Sequence, residues 1–320
     1  MSRPSSHVQL LILGSGWTGN FLLPLLDAQG ISYAYTSRTG TRHRHAAQDP
    51  ITFSTAADES EGAGSITGLD AMPSADNIVV VFPLRSPESA TRLVEAYESA
   101  HPGGSARWIA LGSSGAWGKG VHTSASPPST PMSPRAESEA ALLALDSSSS
   151  SSSSSNRRRT AVLNLTGLYD DEIRLPANFA KRVGDSKDKL AGKTSLHLIH
   201  GRDLARSVVA LAQSSSTAPV WGKRWIVSDT HVYDWWQLMT TLAVPPQKAV
   251  VEHADEWVRE LMEEHGIPSL PRPVSEQASG SPRFLDRALN SDDFWHAINL
   301  RPSVGRCDEQ SSSKQKKSLI

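Results

Sequence analysis

The sequence holds a single cysteine, Cys307, in 320 residues. That excludes internal disulfides and a thiolate zinc site, and it suits a reducing compartment. Long apolar runs are missing as well: none approaches the roughly 20 residues of a membrane helix. Met1 to Val8 is polar and carries no apolar stretch of signal-peptide length. The expectation is a cytoplasmic protein without a membrane partner. Charge of one sign is also lacking, since 32 Lys and Arg face 33 Asp and Glu for a net charge of −1. No global field then favours nucleic acid. His43 and His45 have no third ligand nearby, so no metal site is expected.

What is present alternates between two periodicities. Val8 to Leu13, Ile31 to Thr36, Asn77 to Phe82, Arg107 to Leu111 and Thr160 to Leu165 are short apolar runs that read as buried strands. Helical spacing separates them at Trp17 to Gln29, Glu88 to Ala100 and Pro134 to Leu145. The first helix carries Pro24 and is stopped by Gly30. Strands alternating with helices predict an α/β, Rossmann-like, doubly wound parallel sheet. Further helical patterns at Asp203 to Ala212, Tyr233 to Ala243, Ala254 to His265 and Pro282 to Ile298 are broken by prolines. They read as a smaller, mainly helical C-terminal cap over the carboxyl ends of the strands, where ligands bind in open sheets.

The expected domains are a dinucleotide-binding domain over 8–170 and a cap over 171–305, with one sheet segment returning near 194–230. Polar composition predicts disorder at 1–7, in the serine tract and arginines of 147–159, and in the tail 306–320. Asp170, Asp171 and Glu172 read as a solvated acidic cluster. The nine tryptophans read mostly as core. Trp235 and Trp236 cannot share one helix face, which leaves one for the cap pocket or for a homodimer contact.

Gly14-Ser15-Gly16-Trp17-Thr18-Gly19 fits G-x-G-x-x-G between a strand and a helix. Gly14 permits the tight turn, Gly16 admits a pyrophosphate to the backbone, and Gly19 allows close packing of the helix. The amides opening that helix attract an anion. At the end of the second strand an NAD site needs a carboxylate for the ribose hydroxyl. Here Ser37, Arg38 and Thr39 stand instead, with Thr41, Arg42 and Arg44 close behind, and no acid occurs until Asp49. A guanidinium pairs with a 2′-phosphate, so NADP is expected and NAD less so.

Three later motifs accompany this loop. Ile109 to Gly118 includes Ser113-Ser114-Gly-Ala-Trp117-Gly, Leu163 to Asp170 includes Gly167-Leu-Tyr169, and Leu198 to Ala205 reads Leu-Ile-His200-Gly-Arg-Asp203-Leu-Ala. In order and spacing they resemble the extended and atypical short-chain dehydrogenase/reductases, the group that includes nucleotide-sugar epimerases and dehydratases. The resemblance runs from about Val8 to Ala243. It implies cofactor contacts from Gly14, Gly16, Trp17, Thr18, Gly19, Ser37, Arg38, Pro83, Ser113, Thr166 and Gly167. It implies a substrate pocket at Ser114, Trp117, Arg135, Arg174 and His200. Asp203 is expected to cap the helix that begins there.

The resemblance breaks where the family carries its chemistry. Thr130-Pro131-Met132-Ser133-Pro134-Arg135-Ala136-Glu137-Ser138-Glu139 matches the family's "T-P-x-x-P-Y-x-x-S-K", with Arg135 in place of Tyr and Glu139 in place of Lys. Arginine is not deprotonated near neutral pH, and a carboxylate opposes activation of a phenol. Four residues apart on a helix, the two form an ion pair more naturally. Ser113 and Tyr169 remain as candidate catalytic groups. Two readings stand: an NADP-dependent oxidoreductase or epimerase/dehydratase-like enzyme acting with non-standard residues on a small carbonyl or sugar-like substrate, and an inactive NADP-binding sensor or scaffold.

Overall fold

The computed structural model describes residues 7–55, 66–146, 158–183, 186–242, 253–276 and 280–308. The disorder expected at 147–157 and 309–320 therefore lies outside the described residues, as does all of 1–7 except His7. The chain runs β1 (His7–Leu13), α1 (Gly19–Gln29), β2 (Tyr33–Ser37), β3 (Ile51–Thr52), β4 (Ser54–Thr55), β5 (Ile66–Thr67), β6 (Ser74–Val80), α2 (Pro87–Ala100), β7 (Arg107–Ser113), β8 (Gly120–His122) and α3 (Pro134–Ala144). It continues through β9 (Arg159–Leu165), β10 (Gly167–Tyr169), α4 (Ala177–Val183), α5 (Lys187–Ala191), β11 (Ser195–Leu196), β12 (Leu198–His200), α6 (Gly201–Gln213) and β13 (Lys223–Val227). β14 (Tyr233–Asp234), α7 (Trp235–Leu242), α8 (Ala254–His265), β15 (Arg287–Leu289) and α9 (Asp292–Ala297) complete it.

Two compact units divide these elements. The first comprises 1–116, 128–164 and 204–225; the second comprises 117–127, 165–203 and 226–320. A seven-stranded sheet in the order β13-β9-β7-β6-β1-β2-β3 forms the frame of the first. β1 pairs in parallel with β2 on one side and with β6 on the other, and β6 pairs in parallel with β7. The strand order thus reverses at β1, the doubly wound arrangement whose ligands lie at the carboxyl ends of the strands flanking the reversal. Leu11, Leu13, Ile78, Val80, Leu93, Val94, Trp108 and Val162 fill the core between strands and helices.

Three helix starts in this unit differ. Ser86 and Ser89 form a reciprocal capping box on α2 with Pro87 in its first turn, and the Ser133 hydroxyl accepts the Ala136 N–H ahead of Pro134 in α3. α1 has no side-chain cap and no acid in its first turn; it ends at Gly30, left-handed at φ 63°.

The second unit is held by a buried ion pair. Arg272 gives Nε and Nη2 to Asp234, Nη1 to the Pro282 carbonyl and Nη2 also to the Lys193 carbonyl. Its guanidinium lies 3.8 Å from the Trp236 ring centre. Every charge there is matched, which is the condition for tolerating a buried pair. Trp236 is core and donates to the Leu190 carbonyl, while Trp235 is partly exposed.

Several expectations are corrected. The helix expected over 282–298 is only α9; Arg287–Leu289 extends instead to pair in parallel with β8. Arg158 is no solvated linker residue, since it pairs with Glu98 on α2, and Arg159 opens β9 with its side chain against Asp146. At the start of the expected tail, Cys307 is buried and its N–H donates to the Tyr233 hydroxyl.

Candidate functional site

The glycine loop sits at the carboxyl end of β1, where the strand order reverses. Gly14 has φ +80° and Gly16 φ +47°, backbone that favours glycine. A Cβ on Gly14 would lie 3.2 Å from Phe82, so this glycine admits the chain leaving β6. At Gly16 a Cβ would meet nothing within 4 Å, which leaves an open hollow over the backbone. The Gly14 N–H donates to the Thr36 hydroxyl at 2.9 Å, tying the loop to the end of β2. Among the described residues, the amides of Gly16 and Thr18 have no partner. An open hollow, unpaired amides and an uncapped helix start fit a diphosphate.

His43 is the residue that sequence reasoning missed here. In the sequence it reads only as half of a His pair without a third metal ligand, and no metal-ligating group of three occurs among the described residues. Its Nδ1 accepts the His45 N–H at 3.3 Å, which leaves the other ring nitrogen as a donor. A Cβ on Gly19 would lie 3.1 Å from His43 Nε2 and 2.9 Å from the Ser15 Cβ. The third glycine therefore makes room for an imidazole. Burial lowers the pKa of His43, keeping the ring neutral under the loop. No sequence pattern announces this role, because the contact joins positions 24 apart.

Beyond β2, Arg38 is exposed and has no partner among the described residues. Ser37 and Thr39 face each other at 3.4 Å. Arg42 is committed to the Ala46 and Ala47 carbonyls, and Arg44 to Asn20. Among the described residues, Arg38 is thus the arginine of this loop left unpaired. Pro83 is exposed just past β6.

The end of β7 has a different character. Glu139 is 3% exposed and is saturated. Its Oε1 accepts the Ser113 N–H at 3.1 Å and lies 3.4 Å from Arg135 Nε; its Oε2 accepts Asn164 Nδ2 at 2.6 Å and Arg224 Nη1 at 3.3 Å. A Cβ on Gly112 would stand 2.6 Å from Oε1, so glycine is needed for the carboxylate to enter. The ion pair expected between Arg135 and Glu139 is present as part of a larger network. Burial lowers the pKa of Arg224, and Glu139 opposes that shift. Arg135 also donates to the Leu111 carbonyl at 2.9 Å. The Ser113 hydroxyl accepts the Gly115 N–H at 3.2 Å, and Ser114 is buried.

The remaining candidates lie in the second unit. Tyr169 is wholly buried, its hydroxyl donating to the Gly305 carbonyl at 3.4 Å and its ring set edge-on to His200. Burial, reinforced by Asp229, pushes its pKa well up, so it is a poor proton source. Trp117 is core and donates to the Ser126 carbonyl. His200 accepts the Arg202 N–H on Nδ1 and so caps α6; burial lowers its pKa. Asp203 is not that cap, because the helix starts two residues earlier; its carboxylate holds the Ser303 and Val304 amides. Thr166 bonds the Val227 carbonyl, and Gly167 clears Leu198, which a Cβ would approach to 2.8 Å. Asp170 is buried and accepts three amides, those of Glu172, Ile173 and Arg174, rather than being solvated. The Arg174 side chain is exposed.

No family model matches this sequence, and no curated protein matches it. Solved structures do. One is MoeE5 in complex with UDP-glucose and NAD: TM-score 0.59, 15% identity, covering 98% of this chain and 100% of that one. Another is vestitone reductase from alfalfa (Medicago sativa L.): TM-score 0.61, 16% identity, covering 98% and 100%. A third is TunA, an NAD-dependent NDP-hexosamine 5,6-dehydratase involved in tunicamycin biosynthesis: TM-score 0.58, 15% identity, covering 98% and 99%. At these identities the likeness is one of fold. The chain has the Rossmann-like α/β fold of NAD-dependent epimerase/dehydratase and reductase structures.

Proposed function

We propose that this protein binds a nicotinamide dinucleotide, NADP(H) in preference to NAD(H), as an extended short-chain dehydrogenase-like protein that has lost the Tyr/Lys proton exchange. The open hollow at Gly16, set at the strand-order reversal, carries the reading. Gly14, Gly16, Thr18 and Gly19 would hold the diphosphate, with Trp17 beside it. Arg38, with Ser37, would hold the 2′-phosphate, since a cation without a partner among the described residues stands where an NAD site needs a carboxylate. That MoeE5, of similar fold, is in complex with NAD supports a dinucleotide ligand. The bound nicotinamide would supply hydride transfer.

The chain's own residues supply no phenol–ammonium pair. A guanidinium does not exchange protons near neutral pH, Glu139 is paired with Arg135 and Arg224, and Tyr169 is buried. Non-catalytic holding of the dinucleotide fits these facts best. Calorimetric titration with NADP(H) and NAD(H) tests it: tighter binding of NADP(H) is the expected result, and equal or absent binding would refute it. One observation favours a second reading, an oxidoreductase. The Ser113 hydroxyl accepts a bond from Gly115 and keeps its own proton to donate to a carbonyl. NADPH oxidation across a panel of carbonyls and nucleotide sugars, abolished by Ser113→Ala, would establish that reading; no turnover would dismiss it.

A further inference from the structure

The carboxylate of Glu139 is shared by two guanidinium groups, so the cluster at the end of β7 keeps one net positive charge. The two arginines are not equivalent. The Arg224 side chain is 10% exposed and turned inward to Glu139 and the Ala136 carbonyl. The Arg135 side chain is 37% exposed, so the net charge is presented to solvent there.

Donor counting sharpens this. A guanidinium has five N–H groups. On Arg135, Nε faces Glu139 and one hydrogen of Nη2 goes to the Leu111 carbonyl. Three N–H groups remain among the described residues, two on Nη1 and one on Nη2, donors of the kind with which the guanidinium fork grips a planar carboxylate. The fork is also held in place. Glu139 is fixed by Asn164 and Arg224 from two other strands, and the same oxygen that faces Arg135 accepts the Ser113 N–H. One buried carboxylate therefore registers both the guanidinium and the serine, whose hydroxyl retains a proton to donate. The cluster lies at the carboxyl end of a central strand, the end of an open sheet on which ligands bind.

We propose that Arg135 and Ser113 form a binding subsite for a carboxylate group on a small organic acid. The proposal rests on the dinucleotide reading for the identity of the ligand's neighbour, and not for the subsite itself. Arg135 is the specificity-determining residue: a neutral ligand leaves a charged fork without a partner, whereas a carboxylate matches its charge and shape. Glu139 is a positioning residue that touches no ligand.

The test uses the full chain saturated with NADP. Malonate, pyruvate and 2-oxoglutarate are titrated by calorimetry alongside the neutral malonamide and inorganic phosphate, on wild type, Arg135→Gln and Arg135→Lys. NADP itself is titrated first on each protein. At least one of the three acids should bind wild type, weaken about tenfold in Arg135→Gln and lose less in Arg135→Lys. Malonamide should not compete, and NADP affinity should be the same in all three proteins. Glu139 keeps Arg224 in either variant, so both are expected to fold; if Arg135→Gln does not, Arg135→Lys carries the comparison. No affinity for any acid, unchanged affinity in Arg135→Gln, or a preference for phosphate would overturn the subsite. Failure of wild type to bind NADP would instead count against the dinucleotide reading, and the acids are then titrated on the free protein with the same criteria.

Discussion

Two strand ends of one sheet, those of β1 and β7, solve opposite problems. At β1 the work is done by backbone: two glycines at positive φ, amides without partners among the described residues, and a helix start that no side chain caps. At β7 it is done by side chains, with Glu139 drawing in a serine amide, an asparagine and two arginines until its own bonding capacity is full. The first end leaves backbone amides open; at the second the Glu139 carboxylate is satisfied while Arg135, among the described residues, keeps N–H groups to spare. The difference teaches that the glycine loop at β1 is built without help from the side chains at β7, so on the proposed reading a dinucleotide can be held without the Tyr/Lys pair. Shape at β1 survives without the Tyr/Lys pair. The helix start of α3 also survives, because Ser133 and Pro134 set it whether or not a tyrosine and a lysine occupy the first turns.

The largest effect that would sharpen this contrast is on stability. Glu139→Ala leaves Arg224 buried beside Arg135 without a counter-charge, and breaking a buried pair in this way costs about 3–5 kcal/mol. Thermal or denaturant unfolding should register that loss, and a change below about 1 kcal/mol would mean that the network is not structural. Next comes the loop. Gly16→Val forces a β-branched residue to φ +47° and fills the hollow. Backbone strain of about 1–3 kcal/mol and the lost space should weaken dinucleotide binding by at least about tenfold in a titration. Unchanged affinity would break the comparison at its open end. The smallest effect concerns cofactor choice. Arg38→Ala should weaken NADP about tenfold while leaving NAD unaltered, as read from the ratio of the two affinities.

Legibility in the sequence depends on how local the cause is. Gly14 to Gly19 is a local pattern: strand, tight turn and helix start are encoded within a few residues, and the parallel sheet arises from the repetition of such units. Arg135 and Glu139 were legible as substitutions and as an i,i+4 pair, because one helix turn places them together. Their partners were not. Asn164 lies 25 residues beyond Glu139 and Arg224 lies 85 beyond it, so only the pairing of distant strands brings them to one carboxylate. His43 escaped for the same reason, its contact with Gly19 arising from a fold-back of the chain after β2. Asp203 and Asp170 misled through the opposite error, since acids near a helix start or in a loop read as caps or solvated charge. Here each is buried and organises amides, those of Ser303 and Val304 for the first and those of the residues just after it for the second. Tyr169 as a catalytic candidate and His200 as a pocket candidate rest on resemblance alone, and both are buried.

Amide hydrogen exchange, measured with and without saturating NADPH, is the most direct test because it reports on the backbone amides proposed to hold the diphosphate. Slowed exchange at Gly16 and Thr18 is the expected result, with the same protection in folded Glu139→Gln. Exchange at those amides that does not respond to NADPH or NADH would contradict it.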